Sequence, residues 1–140
     1  MLLKPLLLAS ATVLAIPSHD PLPDLTIGSA MPAAEVVMKD VVGGETTLAK
    51  LAGKNGLLVV FSCNTCPFVV GSEGSAGWEG RYPMTGELCA NNGVGFALVN
   101  SNEAKRENGD SFTDMQAHYK KMGYNGHYLL DTDNAVADAF

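Results

Sequence analysis

Apolar positions fall along this chain in two rhythms. Leu57-Leu58-Val59-Val60-Phe61 and Val94-Gly95-Phe96-Ala97-Leu98-Val99-Asn100 are short, nearly continuous apolar runs. Turn residues introduce each, Lys54-Asn55-Gly56 before the first and Asn91-Asn92-Gly93 before the second. Runs of this length and valine content predict strands buried on both faces. Tyr128-Leu129-Leu130 predicts a third, shorter strand. The stretch from Ser111 to Met122 follows a helical rhythm instead, with Phe112, Met115, Tyr119 and Met122 on one face. Ser111 is a good N-cap, Asp114 three residues later returns the contact, and Gly123 ends the helix.

Weaker signals fill the intervals. Glu35 to Val42 alternates loosely as a strand, Gly43-Gly44 has the chemistry of a tight hairpin turn, and Glu45 to Leu51 carries the chain onward. Between Phe68 and Ala90, four glycines from Gly71 to Gly80 and then Pro83 and Gly86 predict a helix interrupted by a loop. Trp78 and Tyr82 in that stretch read as packing residues. Asp131-Thr132-Asp133 caps a last helix over Asn134 to Phe140. Strands alternating with helices imply right-handed crossovers, hence an α/β domain with a mostly parallel central sheet and flanking helices.

The N-terminus has another character. Lys4 precedes an apolar run from Leu6 to Ile16 that Pro17 stops, with a small residue at Ala15 and Val13 two positions before it, so residues 1–18 form a signal peptide in outline. The run is too short to span a bilayer, and no stable membrane span is expected once it is removed. Residues 19–26 continue a Pro-rich connector, and residues 27–140 form the domain. Export places the protein in the periplasm or another extracytoplasmic, oxidising compartment.

With 140 residues, 46% of them hydrophobic, the chain suits one domain with its own core. A formal charge of -6 argues against nucleic acid as a partner, since neutralising phosphates needs clustered Lys and Arg. The one dense charge cluster, Glu103-Ala104-Lys105-Arg106-Glu107, mixes both signs and reads as a solvated loop or helix end.

The candidate chemistry sits where the first apolar strand ends. Phe61-Ser62-Cys63-Asn64-Thr65-Cys66-Pro67 joins a strand to a helix, at the carboxyl edge where open α/β sheets carry functional groups. Unpaired N-H groups and the positive end of a helix dipole there favour a thiolate, which predicts a lowered thiol pKa. Two intervening residues suit a small disulfide ring, and Pro67 suits a first helical turn. Cys63 and Cys66 are therefore the candidate catalytic residues. A zinc half-site would need two more ligands, and only Cys89, His118 and His127 are on offer, at unhelpful spacings. A purely structural disulfide is the other alternative. The cysteine count is odd, so a Cys63–Cys66 pair leaves Cys89 as a buried free thiol or a partner for something external. Asp131-Thr132-Asp133-Asn134 lacks the Gly and Glu of a calcium loop. His118 lies off the apolar stripe of its helix and His127 in a Gly-rich turn, so both are expected to face solvent. No cofactor or metal is implied.

Three stretches carry a resemblance. Ile27-Gly28-Ser29-Ala30-Met31-Pro32, Leu48 through Phe61, and Cys63-Asn64-Thr65-Cys66-Pro67-Phe68-Val69 resemble the redoxin branch of the thioredoxin-like superfamily, the peroxiredoxin-like proteins grouped with alkyl hydroperoxide reductase and thiol-specific antioxidant. Val99-Asn100-Ser101-Asn102 is also similar to that group. The resemblance implies a thioredoxin-like fold and an antioxidant or thiol-disulfide oxidoreductase acting through the C-x-x-C pair. Its partners would be a peroxide or a protein disulfide or dithiol, with an external thiol reductant. In thioredoxin-type exchange Cys63 attacks and Cys66 resolves the mixed disulfide. In a peroxiredoxin the nucleophile precedes a Pro, as Cys66 does, and Cys63 would capture its sulfenic acid as a disulfide. A copper-binding or copper-delivery protein on the same fold is the alternative, although such proteins usually space their cysteines one residue wider. A degenerate redoxin domain kept for partner contacts, with inert thiols, is a third reading. Thioredoxin folds continue past the last helix into a strand pair bearing a cis-proline, so the resemblance predicts a domain that is C-terminally incomplete at Phe140.

Overall fold

The computed structural model describes residues 25–140. The signal peptide assigned to 1–18 and the connector up to residue 24 lie outside the described residues. No helix among the described residues is long and apolar enough to cross a membrane.

The apolar runs become adjacent parallel strands of a mixed sheet. Five strands, β1 (Met38–Asp40), β2 (Glu45–Thr46), β3 (Leu57–Phe61), β4 (Gly95–Asn100) and β5 (His127–Leu130), lie in the order β2-β1-β5-β4-β3. β3, β4 and β5 are parallel, and β1 runs antiparallel to both β5 and β2. The expected Gly43-Gly44 hairpin joins β1 to β2, with Gly43 and Gly44 at φ 124° and 73°. β4 lies inside the sheet between β5 and β3 and is buried along nearly its whole length. Its side chains alternate across the sheet. Phe96 and Leu98 pack on one face with Met115, Tyr124 and Tyr128, while Ala97 and Val99 pack on the other with Met38, Leu48, Leu129 and Val136.

Helices cover both faces. α3 (Tyr82–Asn91) and α4 (Phe112–Met122) pack on the Phe96 face through Tyr82, Cys89 and Met115. α1 (Leu48–Leu51) packs on the opposite face through Leu48 and Leu51. α4 forms as its sequence predicts. Ser111 and Asp114 make a reciprocal capping box, and Gly123 closes the helix in the left-handed conformation at φ 64°. The region from Phe68 to Ala90 is interrupted as expected: one turn of helix, α2 (Pro67–Val70), then a loop, then α3.

Four expectations need correction. β3 is an edge strand rather than a strand buried on both faces, because only β4 pairs with it among the described strands; Leu58 and Phe61 are 38% and 41% exposed. The onward segment after β2 contains helix α1, which Thr47 nucleates by accepting the Lys50 N-H. No continuous helix runs from Asn134 to Phe140. Asp133 and Asn134 sit at positive φ, leaving two short turns, although Asp131 does cap the segment by accepting the Val136 and Ala137 N-H groups. Tyr82 is core, as predicted, but Trp78 is 61% exposed and stacks under the Arg81 guanidinium at 4.5 Å.

Candidate redox site

The backbone at the end of β3 sets the site. The Ser62 N-H extends the β3–β4 ladder by donating to the Val99 carbonyl at 2.8 Å, and the Ser62 hydroxyl lies 3.2 Å from that of Tyr82. The chain then turns through Cys63-Asn64-Thr65 into α2. Cys66 is the N-cap of this helix and Pro67 opens its first turn, as the sequence predicts. The Cys66 carbonyl accepts the Val69 and Val70 N-H groups, both at 2.9 Å. The Cys66 N-H turns back and donates to Cys63 Sγ at 3.2 Å. The two candidate cysteines therefore share one tight turn, and all three cysteines of the chain are free thiols. Cys63 and Cys89 are buried, whereas Cys66 is half-buried.

The electrostatics of Cys63 run opposite to the expected lowered thiol pKa. Burial pushes its thiol up to about 11; the Cys66 N-H pulls the other way, and the neighbouring Cys66 and Asp110 add to the rise. α2 is a single turn, so the helix dipole behind it is small, and loss of water around the sulfur wins.

The residues between the cysteines are held by a buried polar network that the sequence did not reveal. Asp110, fully buried just before the α4 cap, accepts four hydrogen bonds. Asn64 N-H at 2.6 Å and Asn100 Nδ2 at 2.8 Å meet Oδ1, and the Thr65 hydroxyl at 2.6 Å and Asn102 Nδ2 at 2.8 Å meet Oδ2. Tyr128 extends the network, donating to Asn64 Oδ1 at 2.9 Å and accepting from Asn100 Nδ2 at 3.1 Å. Gly109 belongs to the same arrangement. It sits at φ 106°, and a Cβ there would come within 2.8 Å of the Thr65 methyl group. One signal pointed this way: Asn100 and Asn102 lie at the carboxyl end of β4, beside the cysteine turn.

The cluster Glu103 to Glu107 is not simply solvated. Arg106 is partly buried and donates to the main-chain carbonyls of Asn100, Asp110 and Asp131 as well as to Glu103. Of the histidines, His118 departs from the expected solvent-facing position, whereas the His127 side chain remains 38% exposed. His118 is mostly buried against Glu79 at 2.6 Å and Tyr124, and His127, on β5, pairs with buried Asp40. Both are thus engaged with carboxylates. No three His, Cys, Asp or Glu side chains come together as a metal-binding group among the described residues, and nothing supports the copper-delivery alternative. Beside α2, an apolar cleft of about 420 Å³ runs along β3, lined by Leu58, Phe61, Phe68, Trp78 and Tyr82 among others.

Comparison with known proteins places this geometry. No family model and no curated protein matches the chain. Solved structures do. A hypothetical protein from Sinorhizobium meliloti 1021 superposes with a TM-score of 0.67 at 30% identity, over 82% of this chain and 58% of that one. A secreted Mycobacterium tuberculosis disulfide oxidoreductase superposes at 0.53 with 20% identity, over 76% of this chain and 68% of that one. Bacterioferritin comigratory protein of Xanthomonas campestris, studied for alkyl peroxide reduction, superposes at 0.55 with 19% identity, over 77% of this chain and 60% of that one. The chain thus spans little more than half the length of the Sinorhizobium protein. The strand order, the crossovers and the cysteine turn at the end of β3 give one conclusion: the chain has the thioredoxin-like fold.

Proposed function

We propose that this protein is a thiol-dependent oxidoreductase that reduces hydroperoxides through Cys66, with Cys63 as the resolving cysteine. The observation that carries the reading is the unequal setting of the two sulfurs. Cys66 is the more accessible at the head of α2, while Cys63 is buried and its thiol is pushed up to about 11. A buried, protonated thiol is a poor first attacker and a serviceable second one, because it need act only after its neighbour has been oxidised.

In this scheme Cys66 gives its proton to solvent, its thiolate attacks the distal peroxide oxygen, the O–O bond breaks, and the departing alkoxide or hydroxide takes a proton from solvent to leave as alcohol or water. Cys66 is left as a sulfenic acid. Cys63 Sγ, on the same turn, then attacks that sulfur. The S–S bond forms, hydroxide departs and takes up the Cys63 proton as water. An external dithiol returns the pair to two thiols and leaves as its own disulfide. Export of the protein, read from residues 1–18, belongs to the same proposal and is checked by cell fractionation.

The test is peroxide consumption with a dithiol reductant. Cys66→Ser is expected to abolish turnover. Cys63→Ser is expected to stop at a sulfenic acid that dimedone traps. Full turnover by Cys66→Ser refutes the scheme. Disulfide reduction that depends on Cys63 without peroxide turnover would establish thioredoxin-type exchange instead.

A further inference from the structure

Asp110 is a buried carboxylate for which the scheme above has no role. A charge with no exposed surface is costly to bury unless its lone pairs are filled, and here four donors fill them, two on each oxygen. Helix α4 does not need it, because Ser111 and Asp114 already complete the capping box. Nor is it the partner of Arg106, which reaches only its main-chain carbonyl, at 2.8 Å. Two of the four donors are Asn64 and Thr65, the whole of the bridge between the cysteines.

We propose that Asp110 is a positioning residue for the cysteine pair: its carboxylate clamps the Asn64-Thr65 bridge and favours the Cys63–Cys66 disulfide over the dithiol. The inference rests on the reading of that pair as redox-active. Two physical effects act in the same direction. The clamp holds the bridge in the tight turn where Cys66 N-H meets Cys63 Sγ, which raises the effective concentration of one sulfur at the other. The negative charge also opposes a second negative charge on Cys63. Of the groups facing Cys63, Cys66 shares its turn, burial pushes the Tyr82 and Tyr128 phenols up, and Asp110 contributes a fixed carboxylate. When a dithiol reduces the pair, the S–S bond breaks and two electrons and two protons pass to the sulfurs. The reductant leaves as its disulfide.

The experiment equilibrates the full chain with dithiothreitol and glutathione redox buffers and measures the Cys63–Cys66 disulfide by mass. Asp110→Asn keeps the shape and removes the charge and one acceptor, and Thr65→Val removes one donor from the bridge. Asp110→Asn is expected to shift the equilibrium about tenfold toward the dithiol, or about 30 mV for this two-electron couple. Thr65→Val is expected to shift it about threefold the same way, and it decides the matter should Asp110→Asn fail to fold. The pH profile of Cys63 alkylation should move to lower pH in Asp110→Asn and stay in place in Thr65→Val. Unchanged equilibria in both variants refute the role of Asp110 and leave the redox reading standing. If no Cys63–Cys66 disulfide forms in the unaltered protein under oxidising buffer, the redox reading falls and this inference falls with it.

Discussion

Raising the pH in the presence of a thiol-selective alkylating agent should label Cys66 first and Cys63 late. Alkylation requires the thiolate, and burial moves Cys63 from an ordinary 9.0 to about 11. At pH 7 the thiolate fraction therefore falls from about one in a hundred to about one in ten thousand, so Cys63 should react about a hundredfold more slowly than an unburied cysteine. Short pulses of iodoacetamide, followed by unfolding, a second tag and peptide mass analysis, read each cysteine separately. The Cys63 rate should climb about tenfold per pH unit and keep climbing past pH 9, levelling only near pH 11. Where the rate levels is the informative feature. A profile that levelled near the ordinary value of 9 would mean that the folded chain does not raise the Cys63 thiol. A plateau there, or Cys63 outpacing Cys66 at pH 7, would refute the assignment of Cys63 as the buried, resolving sulfur.

Three further outcomes follow from the same geometry. Tyr128→Phe removes a fully buried hydroxyl that links Asn64 to Asn100, and it should cost about 1 to 3 kcal/mol in a urea melt, with the dithiol equilibrium moving toward reduction as the turn loosens. Ser111→Ala breaks the capping box of α4 and should cost about 1 kcal/mol by the same measurement, with the redox equilibrium unmoved. Alkaline pH should destabilise the fold. Cys63 and the phenols of Tyr82, Tyr119, Tyr124 and Tyr128 are all raised, chiefly by burial, so the unfolded chain loses their protons first. Their stabilisation is complete below the unfolded values near 9 to 10 and drains away above them, which thermal melts at pH 8 and pH 10.5 should register as a falling midpoint.

The parts of the fold that were legible are those whose signal is local. Helix α4 carries its own start, face and stop within Ser111 to Gly123, and β4 carries an apolar run that no other element explains. Helix α1 was hidden because four residues are too few to show a period; its existence depends on the Thr47 cap and on burial of Leu48 against the sheet. β3 was recognised as a strand and misplaced as an interior one. Its five apolar residues describe the strand, whereas its position at the sheet edge depends on which other segments pair with it. The last turns failed for a conformational reason: Asp133 and Asn134 are residue types that tolerate positive φ, and both adopt it.

The cysteine pair was legible for the same reason as α4, since its spacing, its strand and its following proline are contiguous. What determines its chemistry is not. The helix-dipole argument located the correct terminus and expected a lowered thiol, but α2 proved one turn long, and desolvation of the inner sulfur exceeds what so short a dipole supplies. The carboxylate that orders the turn stands 46 residues from Asn64 and reaches it because the segment before α4 returns Asp110 to the carboxyl end of β4, where Asn100 also meets it. Spacing thus brings two sulfurs onto one turn, while in the proposed scheme a distant buried charge and the depth of one sulfur decide which attacks first and how strongly the pair prefers to be joined. A chain with the same seven-residue cysteine segment and a neutral apolar residue at position 110 would keep the motif, but its bridge would lose its two hydrogen bonds to the carboxylate, and its cysteine pair should sit further toward the dithiol.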